Sequence, residues 1–356
     1  MRFVGVDLRK QTITVVVVDA ARKLLVRKRF SNLMSEQIVL FLKSLGQFDL
    51  TVEATASYEW FVQLVEPLAK RIVLAHPGKL RVIAESTRKS DKLDAKVLAE
   101  MLALDQVPAS YRPTPRQRAY RQLVRQRQFW QRKITGVRNK IRRILSNYNL
   151  DRRDLFTKAG QDWLKTAAVS EVDRFCLDQL VDEWNDLVKR RRAVEQTLRE
   201  FSRSGSEQEQ LDRAIIQTIP GVGSVTSDVI LAELADARRF SSLKKVVAYA
   251  GLAPGQRESA GKRKNLHIEK TGSPLLRWVL VQAAWQLAKR SPKWRTIYEN
   301  LQRRIGTKKA IIAVSRRLLT ICVTLLKRQD VYREIVPSSS LAARDPALAT
   351  CTGTRT

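Results

Sequence analysis

The sequence predicts an α/β domain over residues 1–110 followed by a mainly helical remainder, and three observations carry that prediction. In the first part, apolar runs of strand length alternate with amphipathic runs of helix length. Two long apolar repeats then step by alternating three and four residues. The rest is apolar helical sequence punctuated by Gly and Pro. A chain of 356 residues is long enough for two or three domains at roughly 150 residues each.

Taken in order, FVGVD, TITVVVVD and KLLVRKRF read as three strands, the second and third joined by a polar turn at Ala20–Arg22. Ser35–Leu45 reads as a helix and LTVEA as a strand. Tyr58–Lys70 is again helical, RIVLA a strand, and Ser90–Leu104 a helix. Three meandering strands followed by strand–helix alternation is the order of the ribonuclease H-like α/β layer fold. Asp7 ends the first strand in an apolar setting (Val4, Val6, Leu8), and Glu53 ends the fourth. Asp91 and Asp94 are three apart, on one face of a helix at its first turn. Taken singly, each acid also reads as a turn or capping residue. Together they form an oxygen cage suited to two Mg2+ ions, which clamp the attacking and leaving oxygens of a phosphodiester. Asp19 and Asp49 read as turn residues.

Tyr120, Leu123, Arg127, Trp130, Ile134, Val137, Ile141, Ile144 and Tyr148 form the first heptad seam, with Arg127 out of character. Leu177, Leu180, Trp184, Leu187, Arg191, Val194, Leu198 and Phe201 form the second, with Arg191 the misfit. Two such seams make either a helical hairpin or an intermolecular coiled coil.

The formal charge is +31, from 66 basic and 35 acidic residues, and only +5 of it falls in residues 1–110. An excess of this size points to a polyanionic partner. Between Arg112 and Asn149 there are 12 Lys/Arg and no acid. That stretch nominates Arg116, Arg118, Arg121, Arg125, Arg132, Lys133, Arg138 and Lys140 as nucleic-acid contacts; the alternative is an ordinary bundle with a solvated charged face.

Further on, IIQTIPGVGSVTSDVILAELA reads as a helix–hairpin–helix, in which Gly221 and Gly223 allow close backbone approach to a phosphate. Lys244–Gly251 reads as a helix ending on Gly. GLAPGQRESAGKRKNLHIEK reads as a loop, with Ser259 inside it and Lys262, Arg263 and Lys264 as further contacts to nucleic acid. Ser273, before Pro274, looks like a helix N-cap. Trp278 and Trp285 are expected in the core, with Trp294 left as a candidate for base stacking. Residues 336–356 lack periodicity and predict a frayed tail.

GVDLRK, TVEATASYEW, AHPGKLRVIAESTRKSDKLDAKVLAEML and GLAPGQRESAGKRKNLHIEKTGSPLLR together resemble the DEDD transposases of the insertion sequence 110 family, over the chain to about residue 335. The resemblance implies a RuvC-like domain at 1–110 with Asp7, Glu53, Asp91 and Asp94 as its catalytic, Mg2+-binding tetrad. It also implies a coiled-coil spacer at 111–210 and a transposase domain at 211–335 that supplies a nucleophilic serine. The family's Ser-x-Gly-Lys loop aligns with Ser259, Gly261 and Lys262, so Ser259 is the residue expected to form a phosphoserine link to DNA. Donor and target DNA, chosen by pairing to a structured non-coding guide (bridge) RNA, and assembly as a dimer or tetramer are implied with it.

Two His (His76 and His267) and three scattered Cys leave almost no ligands for a zinc site, and an odd Cys count argues against a disulfide framework. His76 reads as structural. No run approaches the ~20 apolar residues of a membrane span, and a soluble, cytoplasmic, nucleoid-associated prokaryotic protein is expected. Two other functions fit the same residues: a metal-dependent junction nuclease using water as nucleophile, and a non-catalytic architectural binder.

Overall fold

The computed structural model describes residues 1–55, 57–84, 91–259 and 262–334, with the backbone alone for 81–84, 91–94, 256–259 and 262–266. The chain divides into two compact units, Met1–Arg112 and Pro113–Thr356.

The first unit is built on a five-stranded sheet. β1 (Arg2–Leu8), β2 (Thr12–Val18) and β3 (Leu24–Ser31) form an antiparallel meander. α1 (Ser35–Ser44) leads to β4 (Phe48–Glu53), which pairs parallel with β1. α2 (Tyr58–Val65) leads to β5 (Arg71–Ala75), parallel to β4. α3 (Pro77–Ala84) and α4 (Asp91–Ala103) complete the unit. The strand order is β3-β2-β1-β4-β5, and this mixed α/β unit resembles the ribonuclease H-like fold.

Both faces of the sheet are covered over β1, β2 and β4, which explains why β2 is an almost unbroken apolar run, while Leu24–Arg29 of β3 stay exposed. Val4, Val6, Ile13, Val15, Val17, Leu50 and Val52 pack with Ile38, Leu42, Phe61 and Val62 of α1 and α2. Val16 and Val18 face the other way, onto Ala95 and Ala99 of α4. α4 sits so close to β1 that a Cβ on Gly5 would collide with the Ala95 carbonyl and the Ala99 amide, so this position requires glycine.

Several elements differ from expectation. α2 ends at Val65 rather than Lys70, because Pro67 has no N–H to continue the ladder; Glu66 keeps helical angles, and the chain goes on in turns closed onto the Val65 carbonyl. α3 was not anticipated; it starts on Pro77, and His76 accepts at Nδ1 from the Lys79 amide at 3.4 Å, a capping role. Asp19 does make its turn, accepting from the amides of Arg22 and Lys23. Asp49 does not: it lies within β4, 7 % exposed, bonded to Arg71 Nε at 3.0 Å.

The second unit begins with α5 (Pro115–Asn147), started by a capping box on Thr114. α6 (Lys158–Leu164) lies in the connection, and α7 (Glu171–Arg203) returns antiparallel against α5. Ile134, Val137, Ile141 and Leu145 of α5 pack on Leu177, Trp184 and Leu187 of α7, with Leu155 and Leu164 closing the distal end. The seams therefore meet within one chain as a hairpin. Both heptad misfits are satisfied across it: Arg127 pairs with Glu195 at 2.8 Å, and Arg191 donates to Gln131 at 2.8 Å.

α8 (Glu207–Gln217), α9 (Ser224–Leu234) and α10 (Leu243–Tyr249) follow, then a hairpin of β6 (Pro254–Ser259) and β7 (Lys262–Ile268) where a loop was expected. Here backbone pairing organises a run too polar to show a buried face. α11 (Pro274–Arg290), α12 (Pro292–Ile305) and α13 (Thr307–Arg328) finish the unit. Ser273 caps α11, its hydroxyl accepting from the Leu276 amide. Trp285 packs against the core as expected, but Trp278 and Trp294 exchange their expected places. Trp294 is buried and donates to Tyr332, Trp285 packs edge-on against Tyr298, and Trp278 is 43 % exposed. The core joins α9, α11 and α13 to Val124 and Leu198 at the base of the hairpin.

Candidate active site at the carboxyl edge of the sheet

β1 and β4 run parallel with Val6 paired to Val52, so Asp7 and Glu53 come next in register on neighbouring strands. Strand alternation puts Asp7 on the face of Phe3 and Gly5, which α4 covers. Glu53 shares the face of Thr51, the partner of Gly5. The two carboxylates thus occupy one face of one edge, on strands about 5 Å apart.

The direction of α4 carries the other two acids to that edge. Gly5 lies against Ala95 and Ala99, while Asp105, just past the end of α4, bonds Arg71 at the amino end of β5. α4 therefore runs antiparallel to β1. From Gly5 to Asp7 the strand advances about 6.6 Å, which a helix covers in roughly four residues. Counting back from Ala95–Ala99 by that amount reaches the turn of Asp91 and Asp94. Their side chains lie outside the described residues.

Asp7 is 15 % exposed at its side chain and accepts from Arg9 Nε at 2.9 Å. Sequence reading missed Arg9; its spacing two residues beyond Asp7 was the available signal. Glu53 is half-buried, and its carbonyl accepts from the Thr55 amide at 2.8 Å. Among the described residues the buried Thr55 hydroxyl has no hydrogen-bond partner, leaving a polar atom at this edge with hydrogen-bonding capacity to spare. The same face carries carboxylates at its amino edge too, but Arg71 binds both Asp49 (3.0 Å) and Asp105 (2.9 Å) there. Hard oxygen donors at the carboxyl edge suit Mg2+. Among the described residues, no three His, Cys, Asp or Glu side chains surround a common point; two of the four acids in question fall outside that set.

In the second unit, Ser259 is the last residue of β6 and pairs with Lys262 across the hairpin end. The side chains of Ser259, Lys262, Arg263 and Lys264 lie outside the described residues, as does Gly261 altogether. His267 is exposed on β7. Gly221 has φ +84, and a Cβ there would press on Gln286 of α11, so packing alone demands glycine. Gly223 is the N-cap of α9, and a Cβ there would meet nothing within 4 Å.

The basic residues of α5 divide along its length. Arg116 bonds Glu209 and the Phe201 carbonyl, and Arg118 the Pro113 carbonyl. Arg121 caps the end of α9 through the carbonyls of Ala232 and Glu233, and Arg125 forks onto the buried Glu233 carboxylate at 2.9 and 3.0 Å. Beyond the middle, Arg132, Lys133 and Lys140 are exposed. Arg138 stacks on Phe156, and burial, then Arg142 and Arg191, lower its pKa.

Residues 4–150 match the family model of the IS110 DEDD proteins, described as "Transposase". Residues 213–299 match a second, described as "Transposase IS116/IS110/IS902 family". The chain belongs to the IS110 family of DEDD transposases. It is an enzyme with the transposase/recombinase activity of that family, acting on DNA. Similar proteins span nearly the whole chain. The transposase for insertion sequence element IS1111A of Coxiella burnetii is 24 % identical over 94 % of this chain and 92 % of its own. A probable family 20 transposase of Pseudomonas aeruginosa is 24 % identical over 93 % and 98 %. A pilin gene-inverting protein of Moraxella bovis is 31 % identical over 33 % and 38 %. DEDD family membership generally implies a metal cofactor. No helix among the described residues is long and apolar enough to cross a membrane.

Proposed function

We propose that this transposase breaks and rejoins DNA strands through a phosphoserine intermediate on Ser259, with Asp7, Glu53, Asp91 and Asp94 holding Mg2+ and a structured guide RNA selecting the sites. The observation that carries this reading is the backbone convergence of β1, β4 and the first turn of α4 at one sheet edge, in a chain of this family. Mg2+ bound there supplies charge stabilisation to the attacking and leaving oxygens. Asp7 and Glu53 provide hard anionic donors, and Arg9 holds the Asp7 carboxylate in place.

In the proposed step the Ser259 hydroxyl gives up its proton and its oxygen bonds to a DNA phosphorus. One bridging ester oxygen departs and takes a proton as a free DNA hydroxyl. The hydroxyl of another strand reverses the step and frees the serine, so one phosphoester is exchanged for another. Ser259 pairs with Lys262 in the backbone register of the hairpin end.

The turn between α8 and α9 acts as a helix–hairpin–helix, with amides near Gly223 at a phosphate. The charge of residues 111–356 supports RNA and DNA as joint partners. Assembly as a dimer or tetramer belongs to the same reading.

The test is cleavage of element-end DNA, resolved on denaturing gels. Ser259→Ala is expected to abolish the covalent protein–DNA product while DNA binding persists; Asp7→Asn is expected to abolish cleavage. Full cleavage by Ser259→Ala overturns the serine step in favour of water as the nucleophile. Recombination by Asp7→Asn at the wild-type rate overturns the metal site.

A further inference from the structure

We propose that Arg29, on the edge strand β3, is a positioning residue that holds a backbone phosphate of the DNA strand lying across the carboxylate edge. The inference rests on the reading of that edge as the active site.

It begins with register. Asp7 pairs with Thr14, and Thr14 pairs with Arg29, so the three lie in one row across β1, β2 and β3. Paired residues share a face, which puts Arg29 on the same side of the sheet as Asp7, Glu53 and α4. Its Cα stands two strand spacings, about 10 Å, from that of Asp7. The side chain leans toward the carboxyl edge: Arg29 Nη2 donates to Thr12 Oγ1 at 3.2 Å, and the Thr12 carbonyl accepts from the Arg9 amide at 2.9 Å. The guanidinium thus stands beside the β1–β2 turn from which Arg9 reaches Asp7. Leu24–Arg29 are exposed, so a strand of nucleic acid has access.

Charge argues the same way. A phosphodiester brought to Asp7 and Glu53 meets two anions of its own sign, and metal ions relieve that repulsion only at the scissile group. Neighbouring phosphates need cations from the protein. A guanidinium presents a planar fork matched to phosphate oxygens, and Arg29 offers one on the same face of the same edge.

The competing account is that Arg27, Lys28 and Arg29 only protect an unpaired strand edge against aggregation. Face separates the two. Lys28 pairs with Val15 and points to the opposite side, with its Nζ 5.2 Å from the Phe30 ring and 5.3 Å from that of Phe41. Edge protection makes Lys28 and Arg29 equivalent; phosphate positioning does not.

The experiment uses the full-length protein with its guide RNA and measures single-turnover cleavage of duplex DNA carrying the element end, across DNA and salt concentrations. Arg29→Gln is expected to raise the half-saturating DNA concentration about tenfold and leave the saturating rate within about twofold. It should also lower the log–log salt slope by about 0.9, as when one phosphate is no longer neutralised. Arg29→Lys recovers most of the affinity and Lys28→Gln changes neither quantity. Equal losses in Lys28→Gln and Arg29→Gln overturn the proposal, as does an Arg29→Gln defect seen only in guide-RNA binding. If Arg29→Gln behaves as wild type while Asp7→Asn is dead, Arg29 is excluded and the active-site reading stands. If Asp7→Asn cleaves normally, both fall.

Discussion

The two halves of α5 have much the same composition and opposite uses. Toward its start, Arg116, Arg121 and Arg125 are spent inside the unit, on Glu209, on the end of α9 and on Glu233. Beside them Tyr120 donates to the buried Asp228 at 2.6 Å, Ser202 donates at 3.1 Å, and Arg213 pairs with the same carboxylate. Burial, then Asp228, raises the Tyr120 pKa. Past the middle of the helix Arg142 still pairs with Asp151 at 2.8 Å, but Arg132, Lys133 and Lys140 face solvent. A basic run is therefore two devices in succession: a fastening of the hairpin to the core, then an exposed basic face, which we propose as the surface for a polyanion.

The largest expected effect is at the fastening. Asp228→Ala leaves Arg213 and Tyr120 without their acceptor in a buried site, and should cost about 3 kcal/mol in urea unfolding. A loss below 0.5 kcal/mol, on the order of an ordinary surface change, would erase the distinction between the halves.

Dryness separates the same regions. Cys322 lies in the core below the hairpin base, and burial pushes its thiol up to about 12. Cys176 is half-buried on α7. A thiol reagent at pH 8 is expected to modify Cys176 and spare Cys322, as read by peptide mass spectrometry. The sign of the pH effect follows: above an ordinary thiol pKa near 9 the unfolded chain releases a proton that the folded chain retains. Cys322 thus leaves stability intact below pH 9 and lowers it by up to about 1.4 kcal/mol per pH unit toward pH 12. Unfolding midpoints at pH 8 and 10 in wild type and Cys322→Ala isolate this contribution.

The smallest effect on stability belongs to the distal half. Replacing Arg132, Lys133 and Lys140 together by Gln should move the unfolding free energy by no more than about 0.5 kcal/mol per site. Nucleic-acid affinity should fall, and the salt slope shrink by up to about 0.9 for each phosphate left without its cation. Destabilisation without a change in salt slope would assign this half to structure as well.

Much of the first unit was legible in the chain. Strands that cross a buried sheet carry apolar runs, and the acids ending two of them stand out against that background. Asp49 misled because a buried ion pair looks like a turn residue until Arg71, on another strand, is seen beside it. The β6–β7 hairpin was missed because so polar a run has no apolar period to detect. The two outliers in the heptads could be named but not paired, since Glu195 satisfies Arg127 from the opposite helix.

The order of most elements, the four candidate acids and the sign and placement of the charge followed from the residues, because each is a local or additive property of the chain, whereas Ser259 stood out only through the family resemblance. Folding in three dimensions was needed to show that α4 runs back along β1 so that its first turn reaches Asp7, that the heptad seams close on one another, and which arginines are spent internally. Those depend on partners tens of residues away, and register and helix direction, rather than composition, settle who meets whom.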